Sequence, residues 1–110
     1  MLHKNHIRLG VNVDHVATLR QVRKGQTKYP DLMFFVNESI RAGCEQITIH
    51  LREDRRHIQL SDLETIAKNC SVDLNLEMAV NSQMVRLAHR HRPEWCCFVP
   101  EKRKELTTEG

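Results

Sequence analysis

The tightest constraint on this chain is a division of labour inside its apolar segments. Leu9, Val11 and Val13 alternate with Gly10, Asn12 and Asp14. Ile47, Ile49 and Leu51 alternate with Thr48, His50 and Arg52, and Val72, Leu74, Leu76 and Met78 alternate with Asp73, Asn75 and Glu77. Strict period-two alternation predicts strands with one apolar and one polar face. Residues 7–14, 46–52 and 72–78 are therefore expected as strands, with Trp95 to Val99 as a fourth.

Between the strands the hydrophobic period lengthens. A polar loop is expected up to Pro30, then a helix over 31–42 with Leu32, Phe35, Val36 and Ile40 on one face and Gly43 as its stop. Ser61 and Glu64 have capping-box spacing before a helix carrying Leu63, Ile66, Ala67 and Cys70. Asn81 can cap a third helix with Met84, Leu87 and Ala88, which Pro93 ends. The order is βαβαβαβ, so the strands should be parallel and joined by helical crossovers.

An open doubly wound sheet buries both faces, and its strands read as near-continuous apolar runs. These strands keep one polar face. A (β/α)₈ barrel explains that better: helices cover the outside, and the interior turns polar toward its mouth. The polar residues cluster late in each strand: Asn12 and Asp14, His50 and Arg52, Glu77. Catalytic groups of such barrels stand at those C-terminal strand ends. In one strand they would be a solvated end of an ordinary sheet. Three strands in phase favour a site.

Composition removes other classes. Seventeen Lys+Arg against 14 Asp+Glu give a net charge of only +3, too little for a dedicated nucleic-acid binder. No stretch has the apolar length of a membrane helix, and residues 1–6 contain no signal-peptide h-region, so the cytoplasm is the expected compartment. The four cysteines form no CxxC pair, and buried reduced thiols are the simpler expectation.

The candidate chemistry follows from residue type. An imidazole at His50 has a pKa suited to acid/base work, although a structural histidine bonded to a carbonyl would look the same. Glu77 lies between Leu76 and Met78, where desolvation should raise its pKa; Arg52 on the neighbouring strand could pair with it. The run from His50 to His57 contains Arg52, Arg55 and Arg56 in a βα loop, suited to phosphate or carboxylate. Arg20, Arg23, Lys24 and Lys28 offer a second basic edge in the first loop. Two basic edges over one mouth suggest an anionic, phosphorylated substrate. A metal is the rival use of Asp14, His15, His50, His57 and Glu77. No motif such as H-E-x-x-H is present and arginines crowd the site, so no metal is expected. His89 to Arg92 reads as a basic last helical turn, favourable to the helix dipole.

Four blocks carry a resemblance: Gly10-Val11-Asn12-Val13-Asp14-His15-Val16-Ala17-Thr18-Leu19-Arg20, Thr48 to Ile58, Asn75-Leu76-Glu77-Met78-Ala79-Val80, and Val99-Pro100-Glu101-Lys102-Arg103 with Thr107 to Gly110. In order and spacing they resemble the pyridoxine 5′-phosphate synthase family. The resemblance implies a cytoplasmic (β/α)₈-barrel enzyme of vitamin B6 biosynthesis. It implies condensation of 1-deoxy-D-xylulose 5-phosphate with 3-amino-2-oxopropyl phosphate, giving pyridoxine 5′-phosphate, phosphate and water. It further implies no metal or organic cofactor, no nucleic-acid or membrane partner, and a homo-oligomer, typically an octamer. By motif position, His50 and Glu77 resemble the acid/base catalysts. Asn12 and Arg23 resemble contacts to the aminooxopropyl phosphate; Asp14, His15, Arg52, His57 and Thr107 resemble contacts to the deoxyxylulose phosphate.

A whole barrel takes about 250 residues. Residues 1–110 are therefore expected to be the N-terminal half of one barrel domain, with four strands and three helices, and to be inactive alone. The alternative is a non-catalytic half-barrel that binds phosphorylated metabolites or a partner chain, its open edges buried by pairing.

Overall fold

A computed structural model describes residues 6–101. The chain runs β1 (Gly10–Asn12), α1 (Asp14–Val22), α2 (Leu32–Arg41), β2 (Gln46–His50), α3 (Leu60–Asn69), β3 (Asp73–Met78), α4 (Ser82–His91) and β4 (Trp95–Phe98). The four strands form one parallel sheet in the order β1-β2-β3-β4. Spatial order equals sequence order, without the reversal that marks a doubly wound sheet. This is an α/β sheet wound in one direction, as in the first four strands of a (β/α)₈ barrel.

The expected faces are observed. Ile47, Ile49 and Leu51 of the second strand region, and Leu74, Leu76 and Met78 of β3, are buried. They pack in one cluster with Leu32 and Val36 of α2, Leu63 and Ile66 of α3 and Met84 of α4. Each large side chain so buried contributes about 1.5–3 kcal/mol. The other face carries Thr48, Asn75 and Glu77, all half-buried, with Asn75 Nδ2 donating to Thr48 Oγ1 at 3.3 Å. At the far edge all of β4 is exposed, Phe98 at 63%. A groove of about 440 Å³ lies there, lined by Met78, Val85, Ala88, Cys96 and Phe98 among others.

Four expectations need correction. The segment after β1 is not all loop: α1 starts at Asp14, making four helices rather than three among the described residues. Its amphipathy is weak, because only Asp14 and Ala17 are buried while Leu19 and Val22 face outward. The first strand is three residues long, since Ile7 and Leu9 are exposed and Val13 already turns toward the helix. The cap of α3 lies two residues earlier than Ser61–Glu64: Asp62 accepts the Gln59 N–H at 2.8 Å, and Ser61 is inside the helix. Of the thiols only Cys44 is buried; Cys70 is intermediate, and Cys96 and Cys97 are exposed on β4.

Other signals are borne out. Gly43, with φ +110°, closes α2 in a left-handed conformation that a side chain would oppose. Asn81 caps α4, accepting the Met84 N–H at 2.9 Å. Arg92, also left-handed, ends that helix just before Pro93.

Candidate active site

The site starts from strand register. Parallel pairing sets His50 opposite Glu77, and two residues earlier Thr48 is opposite both Asn12 and Asn75. Side chains alternate along a strand, so His50 and Glu77 project from the same polar face in one layer. Just past β1 the chain turns into α1, and Asn12 and Asp14 lock onto each other. Asn12 Oδ1 accepts the Asp14 N–H at 2.8 Å, and Asn12 Nδ2 donates to Asp14 Oδ2 at 3.0 Å. Asp14 Oδ1 accepts the backbone N–H of His50 at 2.8 Å. Asn12 Nδ2 also stands 3.4 Å from Glu77 Oε1. One amide thereby bridges two carboxylates and ties three strand ends together.

Electrostatics sharpens the roles. Burial pushes the Glu77 carboxyl above its ordinary value; His50 pulls it down and Asp14 adds to the rise. With burial as the main cause, Glu77 is poised to exchange protons at higher pH than a surface glutamate. His57 moves the other way. Its removal from water disfavours the cation, Asp14 opposes that, and His50, His15 and Arg52 reinforce it. The His57 ring centre is 6.3 Å from those of both His50 and His15, and His57 Nδ1 accepts the Ile58 N–H at 2.8 Å. His15 is held on α1 by Thr18, Nδ1 to Oγ1 at 3.2 Å.

Asn12, Asp14, His50 and Glu77 are thus joined directly, with His57 and His15 beside them. Arg52 is buried next to this group and grips Asp54 through Nε at 3.2 Å. Burial would raise Asp54, but hydrogen bonds from Arg56 and Arg52 hold it at about 2. The expected Arg52–Glu77 pair is not formed: among the described residues, the donor reaching Glu77 is Asn12. Arg23 caps the far end of α1 and donates to Thr27 Oγ1 at 2.8 Å, and no contact among the described residues joins it to the cluster. Arg20, expected at a basic edge, forms a bidentate pair with Asp62 at 2.8 and 2.7 Å. Thr107 lies outside the described residues.

One member was missed. Glu101, just after β4, places Oε2 2.9 Å from His50 Nε2, and its Oε1 accepts the Glu53 N–H at 2.9 Å. Its side chain is only 6% exposed. The only sequence signal was its place in the block Val99 to Arg103, because no spacing rule connects residues 51 positions apart.

The comparisons converge on one family. The model of the pyridoxal phosphate biosynthesis protein PdxJ matches residues 9–110. The chain is 70% identical over 107 residues to a pyridoxine 5′-phosphate synthase of Bdellovibrio bacteriovorus, covering 97% of this chain and 44% of that protein. It is 55% identical over 104 residues to the synthase of Magnetococcus marinus, and 52% over 104 residues to that of Coxiella burnetii, covering 94% of this chain and 42% of each relative. The chain therefore spans less than half the length of these curated relatives. Among the described residues, no helix is long and apolar enough to cross a membrane.

Proposed function

Because the chain belongs to the PdxJ family of pyridoxal phosphate biosynthesis proteins, we propose that it supplies the first catalytic half of a pyridoxine 5′-phosphate synthase. The reaction joins 1-deoxy-D-xylulose 5-phosphate to 3-amino-2-oxopropyl phosphate and releases phosphate and water. Attack of the amine on a ketone, dehydration and ring closure each move protons. The observation that carries the reading is the His50–Glu77 layer, cross-strand partners on the polar face with a carboxyl raised by burial.

His50 and Glu77 pass protons to and from the condensing atoms. Asn12 and Arg23 meet the aminooxopropyl phosphate; Asp14, His15, Arg52, His57 and Thr107 meet the deoxyxylulose phosphate. Support for the first group is the Asn12 amide at the centre of the cluster. Support for the second is the convergence of Asp14, His57 and His15, with Arg52 adjoining. No organic cofactor or metal takes part. The enzyme works in the cytoplasm as a homo-oligomer, an octamer by family likeness.

The isolated 110 residues are expected to be inactive, because among the described residues β4 is an exposed edge strand and the chain spans less than half the length of its curated relatives. The test is a chimera that continues residues 1–110 with the remaining length of the Bdellovibrio relative. Pyridoxine 5′-phosphate should form with the chimera and not with the 110 residues alone. His50→Ala and Glu77→Gln should each slow the chimera by about 10²-fold or more. Near-parental turnover in both variants would refute the role assignment.

A further inference from the structure

The residue with the strongest unclaimed contact to this site is Glu101. We propose that Glu101 is the positioning residue of His50: its carboxylate fixes the imidazole with the proton on Nε2 and leaves Nδ1 as the working nitrogen. This rests on the reading of His50 as an acid/base group and adds to it the partner that orients the ring.

The geometry is specific. A carboxylate only accepts hydrogen bonds, so Oε2 at 2.9 Å from Nε2 selects the tautomer that donates from Nε2. Among the described residues Nδ1 has no hydrogen-bond partner, so its lone pair is the one available to a substrate. Both ends of the contact are dry, the side chains being 2% and 6% exposed. Low local dielectric strengthens such a bond and makes an alternative ring orientation costly.

The second oxygen removes the remaining freedom. Oε1 takes the Glu53 N–H, so the carboxylate is held by the loop that follows β2 while it holds the side chain at the end of β2. The backbone N–H of His50 is meanwhile fixed by Asp14. Main chain and ring are thus pinned independently, from α1 on one side and from the segment after β4 on the other. Among the described residues, the charged and titratable groups around the ring are Asp14 on α1, Glu77 on β3, Arg52 and His57 in the segment after β2, and Glu101 itself. When His50 takes a proton, Glu101 is the carboxylate in direct contact with the imidazolium, as the carboxylate of a Ser-His-Asp triad is.

The experiment uses the chimera described above, with steady-state kinetics across pH and melting temperature for each variant. Glu101→Gln should lower kcat by at least about tenfold, leave KM for both phosphorylated substrates within about twofold, and move the acidic limb of the pH profile to lower pH, because an anion that favours imidazolium has gone. Glu101→Asp should recover part of kcat and of the limb. Adding Glu101→Gln to His50→Ala should cost nothing further. Nitrogen-15 spectra of His50 in the 110-residue chain should show the proton on Nε2, and lose that preference in Glu101→Gln. An unchanged kcat and limb in Glu101→Gln, with His50→Ala inactive, would overturn the positioning role and leave the reading of His50 standing. A lowered melting temperature with an unmoved limb would overturn it too, since that is what a structural strut does. Full turnover by His50→Ala would overturn the underlying reading, and the positioning role with it.

Discussion

Arg20 gives the sharpest test of how this chain uses its cations. Its guanidinium meets Asp62 through two bonds of 2.8 and 2.7 Å, and Nη2 also lies 3.4 Å from the His57 carbonyl. The side chains are 18% and 11% exposed, and Asp62 additionally caps α3. The pair raises the arginine pKa further, so it is charged at any working pH. Breaking a fully buried pair costs 3–5 kcal/mol; these groups keep some solvent, so Arg20→Ala should cost about 2 kcal/mol. Asp62→Ala should cost about 3 kcal/mol, because the cap adds roughly 1. The double variant leaves no orphaned charge, so the coupling energy should be about 1–2 kcal/mol. Equilibrium urea unfolding of the four proteins, followed by far-ultraviolet circular dichroism, measures this cycle. A coupling below about 0.5 kcal/mol, the scale of an exposed ion pair, would refute the reasoning. If Arg20→Lys instead kept full stability and raised KM for a phosphorylated substrate in the chimera, the arginine would belong to the phosphate edge.

Three further outcomes follow from single contacts. Glu77 has a folded pKa above its ordinary 4.5, so folding favours its protonated form. Its contribution is complete below that value and is lost as pH rises through the folded pKa. Glu77→Gln should therefore melt higher than the parent at pH 7 and lose that advantage at pH 4, while turnover of the chimera falls. Asn81→Ala removes the cap on the Met84 N–H and should cost about 1 kcal/mol in urea unfolding. A thiol reagent followed by mass spectrometry should modify exposed Cys96 and Cys97 in the native 110-residue chain, and Cys44 only after unfolding, since burial both shields that thiol and pushes its pKa up.

The strands were legible because each must satisfy two environments at once. Ile47, Ile49 and Leu51 lie under helices while Thr48 and His50 line the opposite face, so the period-two signal is written without ambiguity. Helix α1 was not legible for the converse reason. With Asp14 and Ala17 its only buried residues, it lacks an apolar stripe, and its start is set by the Asn12–Asp14 lock rather than by hydrophobic pattern. The α3 cap was displaced because Ser61–Glu64 and Gln59–Asp62 offer the same spacing. The second wins because Asp62 also receives Arg20 from α1. That contact spans 42 residues, beyond the reach of any local rule.

The same distinction governs the site. His50 and Glu77 could be read as neighbours because parallel register and alternation are local properties carried across one crossover. What each carboxylate and cation does there is decided by partners that arrive from elsewhere in the chain. Glu77 meets an amide from β1 instead of Arg52, and Arg52 turns to Asp54 in its own loop. This exchange has a chemical consequence. An arginine on Glu77 would hold the carboxyl ionised and low, useful for orientation and poor for proton transfer. An amide supplies one weak donor and no charge, so burial dominates and the carboxyl rises. Asn12→Lys would put a cation where the amide stands, and should return Glu77 to an ordinary or lower pKa. The chimera carrying it should lose turnover, while His50 keeps its bond to Glu101. Retention of the parental pH profile in Asn12→Lys would show that the amide does not set the Glu77 pKa.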